Sequence, residues 1–183
     1  TLPTPDGSTQ IDHIFVSRYG IFVVETKNMK GWIFGDEHQA QWTQKIYRKS
    51  FRFQNPLRQN YKHVKALESA LDVPSEVIHS IVVFTGNAKL KTRKPKNVTR
   101  GGGYVNYIKS FQEIVLSEAE VQEAFTKIQA GRLAPTRETH LEHVAALKAR
   151  SNPNAQRKCP KCGSSMVLRT SKRGKNEGKL DGK

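Results

Sequence analysis

Residues 11–17 (IDHIFVS) and 21–27 (IFVVETK) decide the fold, because both are short, rich in Ile, Val and Phe, and separated by the turn-forming Arg18-Tyr19-Gly20. They read as an antiparallel pair with two largely apolar faces, which suits the middle of a sheet rather than an exposed edge. Three ionisable residues interrupt this apolar hairpin: Asp12 and, thirteen positions later, the run Glu25-Thr26-Lys27. Strand side chains alternate with period two, so Glu25 and Lys27 share a face. With an even loop, Tyr19-Gly20, Arg18 pairs with Ile21, Ile14 with Glu25 and Asp12 with Lys27. Cross-strand partners also share a face, so all three charges then project from one side. An odd loop sends Asp12 to the opposite side.

Charges inside an apolar hairpin are costly unless they are paired or bind a metal. Two carboxylates in this arrangement can hold Mg²⁺ (or Mn²⁺), which takes hard oxygen ligands and keeps positions open for water and phosphate. A bound divalent ion lowers the pKa of its water, and a neighbouring lysine can position that water or offset charge at a phosphorus centre. The alternative is a buried Asp12–Lys27 salt bridge with Glu25 at the exposed end of its strand.

Further strands are expected at residues 32–34 (WIF) and 41–47, extending the same antiparallel sheet. Asn55-Pro56 marks a helix start, with Asn55 as the cap and Pro56 in the first helical position. Leu57, Tyr61, Val64, Leu67 and Leu71 then recur at helical spacing until Pro74. Residues 77–84 (VIHSIVVF) read as a buried strand completing a β-α-β unit. Residues 87–100 read as a basic loop, 104–108 as a short strand, and 110–116, 117–128 and 136–148 as helices. The fold class is therefore α/β, a mixed central sheet flanked by helices, followed by a small basic tail. The expected divisions are 1–130 for the main domain, 131–154 for a helix and linker, and 155–183 for the tail.

At residues 11–35 (IDHIFVSRYGIFVVETKNMKGWIFG) the chain resembles the core of the nuclease-related domain (NERD), a branch of the PD-(D/E)xK restriction-endonuclease-like fold. The resemblance implies metal-binding roles for Asp12, Glu25 and the Thr26 carbonyl, and a catalytic role for Lys27. It implies DNA phosphodiester hydrolysis with Mg²⁺, in DNA processing or repair. It extends to the helix after residue 55, where a Gln commonly faces the site, and that role falls on Gln59. Members of the family carry a helix before the hairpin that often supplies another acid. The sequence begins too late to include it, and without an initiator Met it reads as a piece of a longer protein.

The formal net charge is +15, from 31 Lys+Arg against 16 Asp+Glu, and this points to a polyanionic partner. From residue 45 to residue 65 the chain carries Lys45, Arg48, Lys49, Arg52, Arg58, Lys62 and Lys65 and no acid. Tyr47, Phe51, Phe53 and Tyr61 lie among them. Bases suit phosphate contacts and aromatics can stack on unpaired bases, although such aromatics are more often core. A second basic stretch includes Lys91, Arg93 and Lys94. A DNA-binding module without cleavage activity and an RNA-binding or RNA-processing protein remain as rival readings. His13 is expected to pack on the face away from Asp12, and His38, His63 and His79 show no ligand spacing.

Cys159 and Cys162 form a Cys-x-x-Cys-Gly knuckle suited to Zn²⁺, half of a zinc ribbon resembling those at the C-termini of bacterial type IA topoisomerases. A second cysteine pair is missing, so Zn²⁺ would need further ligands, and the tail is expected to be poorly ordered. Two thiols at this spacing favour a reducing cytoplasm. No run of about 18 apolar residues is present to span a membrane.

Overall fold

The hairpin turns two residues out of the expected register. In the computed structural model, β3 (His13–Ser17) pairs antiparallel with β4 (Gly20–Asn28), and Ser17 faces Gly20, Ile14 faces Val23 and His13 faces Val24. The loop is therefore Arg18-Tyr19, not Tyr19-Gly20, and Ile14 does not pair with Glu25. The Ser17 hydroxyl fixes this turn, donating to the Gly20 carbonyl at 3.1 Å and accepting the Tyr19 N–H at 3.2 Å. The Arg18 carbonyl is also held, by the N–H groups of Val115 and Leu116 at 2.9 and 3.1 Å. Gly20 has φ +127, and an added Cβ would lie 2.8 Å from the His79 ring. A shift of two preserves parity, so the faces predicted for this pair stand although the partners change.

The structure describes residues 1–4, 7–134, 136–151, 157–158, 164–166, 168–170 and 180–182. It divides the chain into two units, Thr1–Ala134 and Pro135–Lys183. In the first, β1 (Leu2–Thr4) and β2 (Gly7–Thr9) form a small antiparallel pair ahead of β3. After β4 come β5 (Gly31–Phe34), β6 (Gln41–Ile46) and β7 (Lys49–Gln54), then helix α1 (Pro56–Leu71). Strands β8 (Ile78–Thr85), β9 (Ala88–Leu90) and β10 (Val98–Arg100) follow, and helices α2 (Gly103–Lys109) and α3 (Glu118–Gly131) close the unit. The class is α/β, with mixed sheets flanked by helices.

The central sheet has the order β10-β8-β4-β3, in which β8 is parallel to both β4 and β10. One face of it buries Ile21, Val23 and Ile78 beneath Val64, Leu67 and Leu71 of α1, with Ile14 and Val16 packed alongside. The other buries Phe22, Val24, Ile81 and Val83 under Tyr104, Tyr107, Ile108 and Phe111. His79 lies 5.1 Å from the Phe22 ring and 4.2 Å from the Phe111 ring, and burial pushes its pKa down.

Four expectations need correction here. Strands β5 and β6 do not extend the central sheet; with β7 and β9 they form a second one, ordered β7-β6-β5-β9. Gly31, at φ +79, redirects the chain between the sheets, and a Cβ there would meet the Lys45 carbonyl at 2.4 Å. The second sheet packs Ile33, Trp42 and Phe53 against Val82, Phe84 and Val98, with Trp42 stacked on Phe84 at 5.9 Å. Residues 104–108 are helix rather than strand, because Tyr104, Tyr107 and Ile108 recur at i, i+3 and i+4 over an apolar sheet face. Residues 110–116 form no helix, and the stretch read as one basic loop contains β9 and β10.

The second unit contains α4 (Arg137–Ser151), the pair β11 (Arg157–Lys158) and β12 (Ser165–Met166), and the pair β13 (Leu168–Thr170) and β14 (Leu180–Gly182). Cys159 and Cys162, the proposed zinc knuckle, lie outside the described residues. Among the described residues no helix is long and apolar enough to cross a membrane.

Candidate active site

Strand β4 carries Glu25 and Lys27 on the face that α1 covers, where Val23 and Ile21 precede them at alternate positions. Glu25 is only 3% exposed. Its two carboxylate oxygens are taken separately: Lys27 Nζ donates to Oε1 at 2.6 Å, and His63 Nε2 sits 3.2 Å from Oε2. Burial alone would push this carboxyl up. The hydrogen bonds from His63 and Lys27, with the Lys27 charge, outweigh burial and hold it below the usual carboxylate range. The alternative of an exposed Glu25 beside a buried Asp12–Lys27 pair is thus excluded: Lys27 is bound to Glu25, and Glu25 is the buried group.

Helix α1 supplies two further side chains one turn apart. Gln59 Oε1 accepts from Lys27 Nζ at 2.9 Å, and His63 contacts Glu25. The Thr9 hydroxyl lies 2.7 Å from His63 Nδ1. A carboxylate only accepts, so the neutral tautomer that satisfies both neighbours carries its proton on Nε2 and accepts the Thr9 hydroxyl at Nδ1. Thr9, His63, Glu25, Lys27 and Gln59 therefore form one continuous hydrogen-bonded chain running from β2 through α1 to β4. Between Gln59 and His63 on α1, the fully buried Asn60 donates through Nδ2 to the Val23 and Ile81 carbonyls at 2.9 and 3.0 Å, tying the helix to β4 and β8.

Asp12 precedes β3 and is exposed, with Oδ2 accepting the Thr26 N–H at 2.8 Å. Continuing the observed register places it opposite Glu25, on the same face as Ile14 and Val16. Within a strand the N–H and C=O of one residue point to the same edge. The Thr26 carbonyl therefore faces the edge where β3 has already ended, beside Asp12. The site thus gathers Asp12, Glu25, Thr26, Lys27 and Gln59 at one end of the central sheet.

His63 stands at no ligand spacing from the other histidines. The informative spacing was to Gln59, four residues earlier on the same helical face. His13 shares a face with Val24, away from Glu25, but it is exposed rather than packed. The proposed phosphate contacts are all exposed: Lys45 on β6, Arg48 in the β6–β7 turn, Lys49 and Arg52 on β7, Arg58 and Lys62 on α1, and Lys91, Arg93 and Lys94 after β9. Two of them also brace the fold, Arg58 donating to the His38 carbonyl at 2.6 Å and Lys94 to the Val98 carbonyl. Phe53 is core, edge-on to Trp42 at 6.4 Å, whereas Tyr47, Phe51 and Tyr61 are exposed.

Residues 1–85 match the nuclease-related domain (NERD) family, and this stretch contains Asp12, Glu25, Thr26, Lys27, Gln59 and His63. That part of the chain is similar to nuclease-related domains. The chain is also 42% identical over 125 residues to an uncharacterized protein of Bacillus anthracis, an alignment covering 66% of this chain and 58% of the relative. No solved structure matches it significantly. Within the matched stretch, α1 and β4 bring the acid, the lysine and the glutamine into contact across a sequence gap of more than thirty residues.

Proposed function

We propose that this chain hydrolyses DNA phosphodiesters in the cytoplasm, with Asp12, Glu25 and the Thr26 carbonyl holding Mg²⁺ or Mn²⁺ and with Lys27 as the catalytic lysine. The observation that carries the reading is Lys27 Nζ held between the buried Glu25 carboxylate and Gln59. The donor set fits a hard cation in kind. Each Glu25 oxygen holds one hydrogen bond, and a carboxylate oxygen has a second lone pair to offer. Among the described residues no group of three or more His, Cys, Asp or Glu is assembled for a metal, but Mg²⁺ needs only one or two carboxylates beside water and phosphate.

A divalent ion bound there would supply water of lowered pKa and neutralise phosphate charge. The chain's own residues do the rest. Glu25 and Gln59 occupy two of the three N–H donors of Lys27, leaving the third for a phosphate oxygen or the attacking water. Because the ammonium is fixed before substrate arrives, its charge acts on the developing negative charge without reorganisation. His63 holds the far oxygen of Glu25 and keeps the carboxylate ionised.

One observation favours a DNA-binding module without cleavage: the chain's own donors already engage both Glu25 oxygens. The two readings separate in a cleavage assay on plasmid and single-stranded DNA with Mg²⁺, Mn²⁺ or EDTA, run on the chain and on Lys27→Ala. Hydrolysis predicts activity abolished by EDTA and a Lys27→Ala rate lower by about 10²–10³, with Mn²⁺ affinity nearly unchanged. A Lys27→Ala protein that cuts at the parent rate defeats the mechanism. The binding module predicts no cleavage and a Lys27→Ala protein that is chiefly less stable, because Glu25 loses its partner.

A further inference from the structure

Strands β5, β6, β7 and β9 bury one face against the central sheet, through Ile33, Trp42 and Phe53, and turn the other outward. On that outward face Trp32 is 47% exposed, a large apolar ring left in solvent. Cross-strand pairing sets Lys45 on one side of it and Lys89 on the other. Lys91 Nζ stands 4.6 Å from the ring centroid, and the Phe34 ring follows at 6.5 Å. A groove of about 440 Å³ opens beside Trp32, lined also by Lys30, Lys45 and Tyr47.

Tyr47 is the second unusual feature. It is 95% exposed, so it contributes nothing to the core, and it sits at φ 52 in the two-residue β6–β7 turn. Gly or Asn is the residue such a turn favours, since only they adopt that region cheaply. An aromatic held in a strained backbone and fully in solvent is a poor choice for stability alone.

We infer that this groove binds an unpaired segment of DNA, with bases stacking on Trp32 and Tyr47 and the phosphates lying on Lys30, Lys45, Lys89 and Lys91. The inference rests on the nuclease reading for its choice of DNA and adds the strand state it prefers. Charge decides the occupant. The groove is lined by lysines and no acid, and among common polyanions only unpaired nucleic acid also offers flat aromatic faces. Duplex DNA hides its bases and would meet the cations alone. Trp32 is five residues beyond Lys27, so their backbones are at most roughly 18 Å apart.

The test is binding of labelled oligo-dT, an abasic oligomer of equal length and a matched duplex to the full chain in EDTA, where no metal-dependent cleavage occurs. Trp32→Ala and Tyr47→Gly should each weaken oligo-dT binding about tenfold or more and leave duplex and abasic binding within about twofold. Trp32→Phe should retain most of the affinity. Tyr47→Gly also relieves the turn, so its melting temperature should not fall, and lost binding cannot then be assigned to unfolding. Oligo-dT binding that both variants retain, or that is no tighter than abasic binding, overturns the inference. Oligo-U bound tenfold tighter than oligo-dT overturns its assignment to DNA. Plasmid cleavage without preferential oligo-dT binding removes this inference and leaves the nuclease reading standing. Trp32-dependent oligo-dT binding with no cleavage in any metal does the reverse.

Discussion

At the residue scale the chemistry turns on Glu25, a carboxylate kept charged in an apolar setting by its neighbours. Its lowered pKa fixes the sign of its linkage: stability is fully present above the ordinary value of 4.5 and is lost as pH falls through the folded value. His79 behaves likewise at higher pH. Its folded pKa is lowered by burial, so its contribution is present above 6.5 and declines as the unfolded ring takes up its proton below that. His63→Ala removes one of the two donors holding Glu25 ionised and strands Thr9. The variant should lose about 3 kcal/mol or more, and its acid unfolding should begin at higher pH than the parent's. Melting temperatures from about pH 3 to about pH 7 for parent, His63→Ala and Glu25→Gln decide this. An unchanged acid limb in His63→Ala would mean that Lys27 alone sustains the carboxylate. In the sequence His63 is marked only by its spacing of four from Gln59, and its role comes from a strand 38 residues away, whereas Glu25 and Lys27 stand out as charges in an apolar run.

At the element scale the readable features were those set by local chemistry. Asn55 caps α1 as expected, its Oδ1 accepting the Leu57 N–H at 3.0 Å. What the sequence hid is that Asn55 is fully buried and that its Nδ2 donates to the carbonyls of Asp36, Glu37 and Gln39 at 3.1, 3.3 and 2.7 Å. It pins the β5–β6 loop to the helix that carries Gln59 and His63. As caps Asn and Asp are equivalent, but a carboxylate has no donor and would face three carbonyl oxygens. Asn55→Asp should therefore be about as destabilising as Asn55→Ala, each by about 2 kcal/mol in urea unfolding. An Asp variant as stable as the parent would show that capping alone explains the residue. The hairpin register was misplaced by two for a related reason. The loop is chosen by the Ser17 hydroxyl and by residues 115 and 116 clasping Arg18, contacts that no local pattern announces. Residues 104–108, expected as strand, form helix, in keeping with the i, i+3 and i+4 spacing of Tyr104, Tyr107 and Ile108.

At the scale of the whole molecule a net charge of +15 and its basic stretches were legible in the sequence, but not which elements would display them. The cations named as phosphate contacts lie exposed on the second sheet, on α1 and after β9, a spread that suits phosphate contact rather than base readout. Contacts of this kind work by releasing condensed counterions, so affinity for duplex DNA should fall steeply with salt and vary little with sequence. If about 6–10 phosphates are engaged, raising salt from 50 to 200 mM should weaken duplex binding by about 10³-fold or more. Single strands condense fewer counterions and, in the groove beside Trp32, gain from stacking that salt does not screen, so their slope should be shallower. Anisotropy titrations over that range, with two unrelated duplexes and one single strand, give both slopes at once. Duplex binding that survives 200 mM salt, or that separates the two duplexes tenfold, would replace phosphate contact by a specific readout. The expected pattern instead has the duplex released first while the single strand stays bound through its bases.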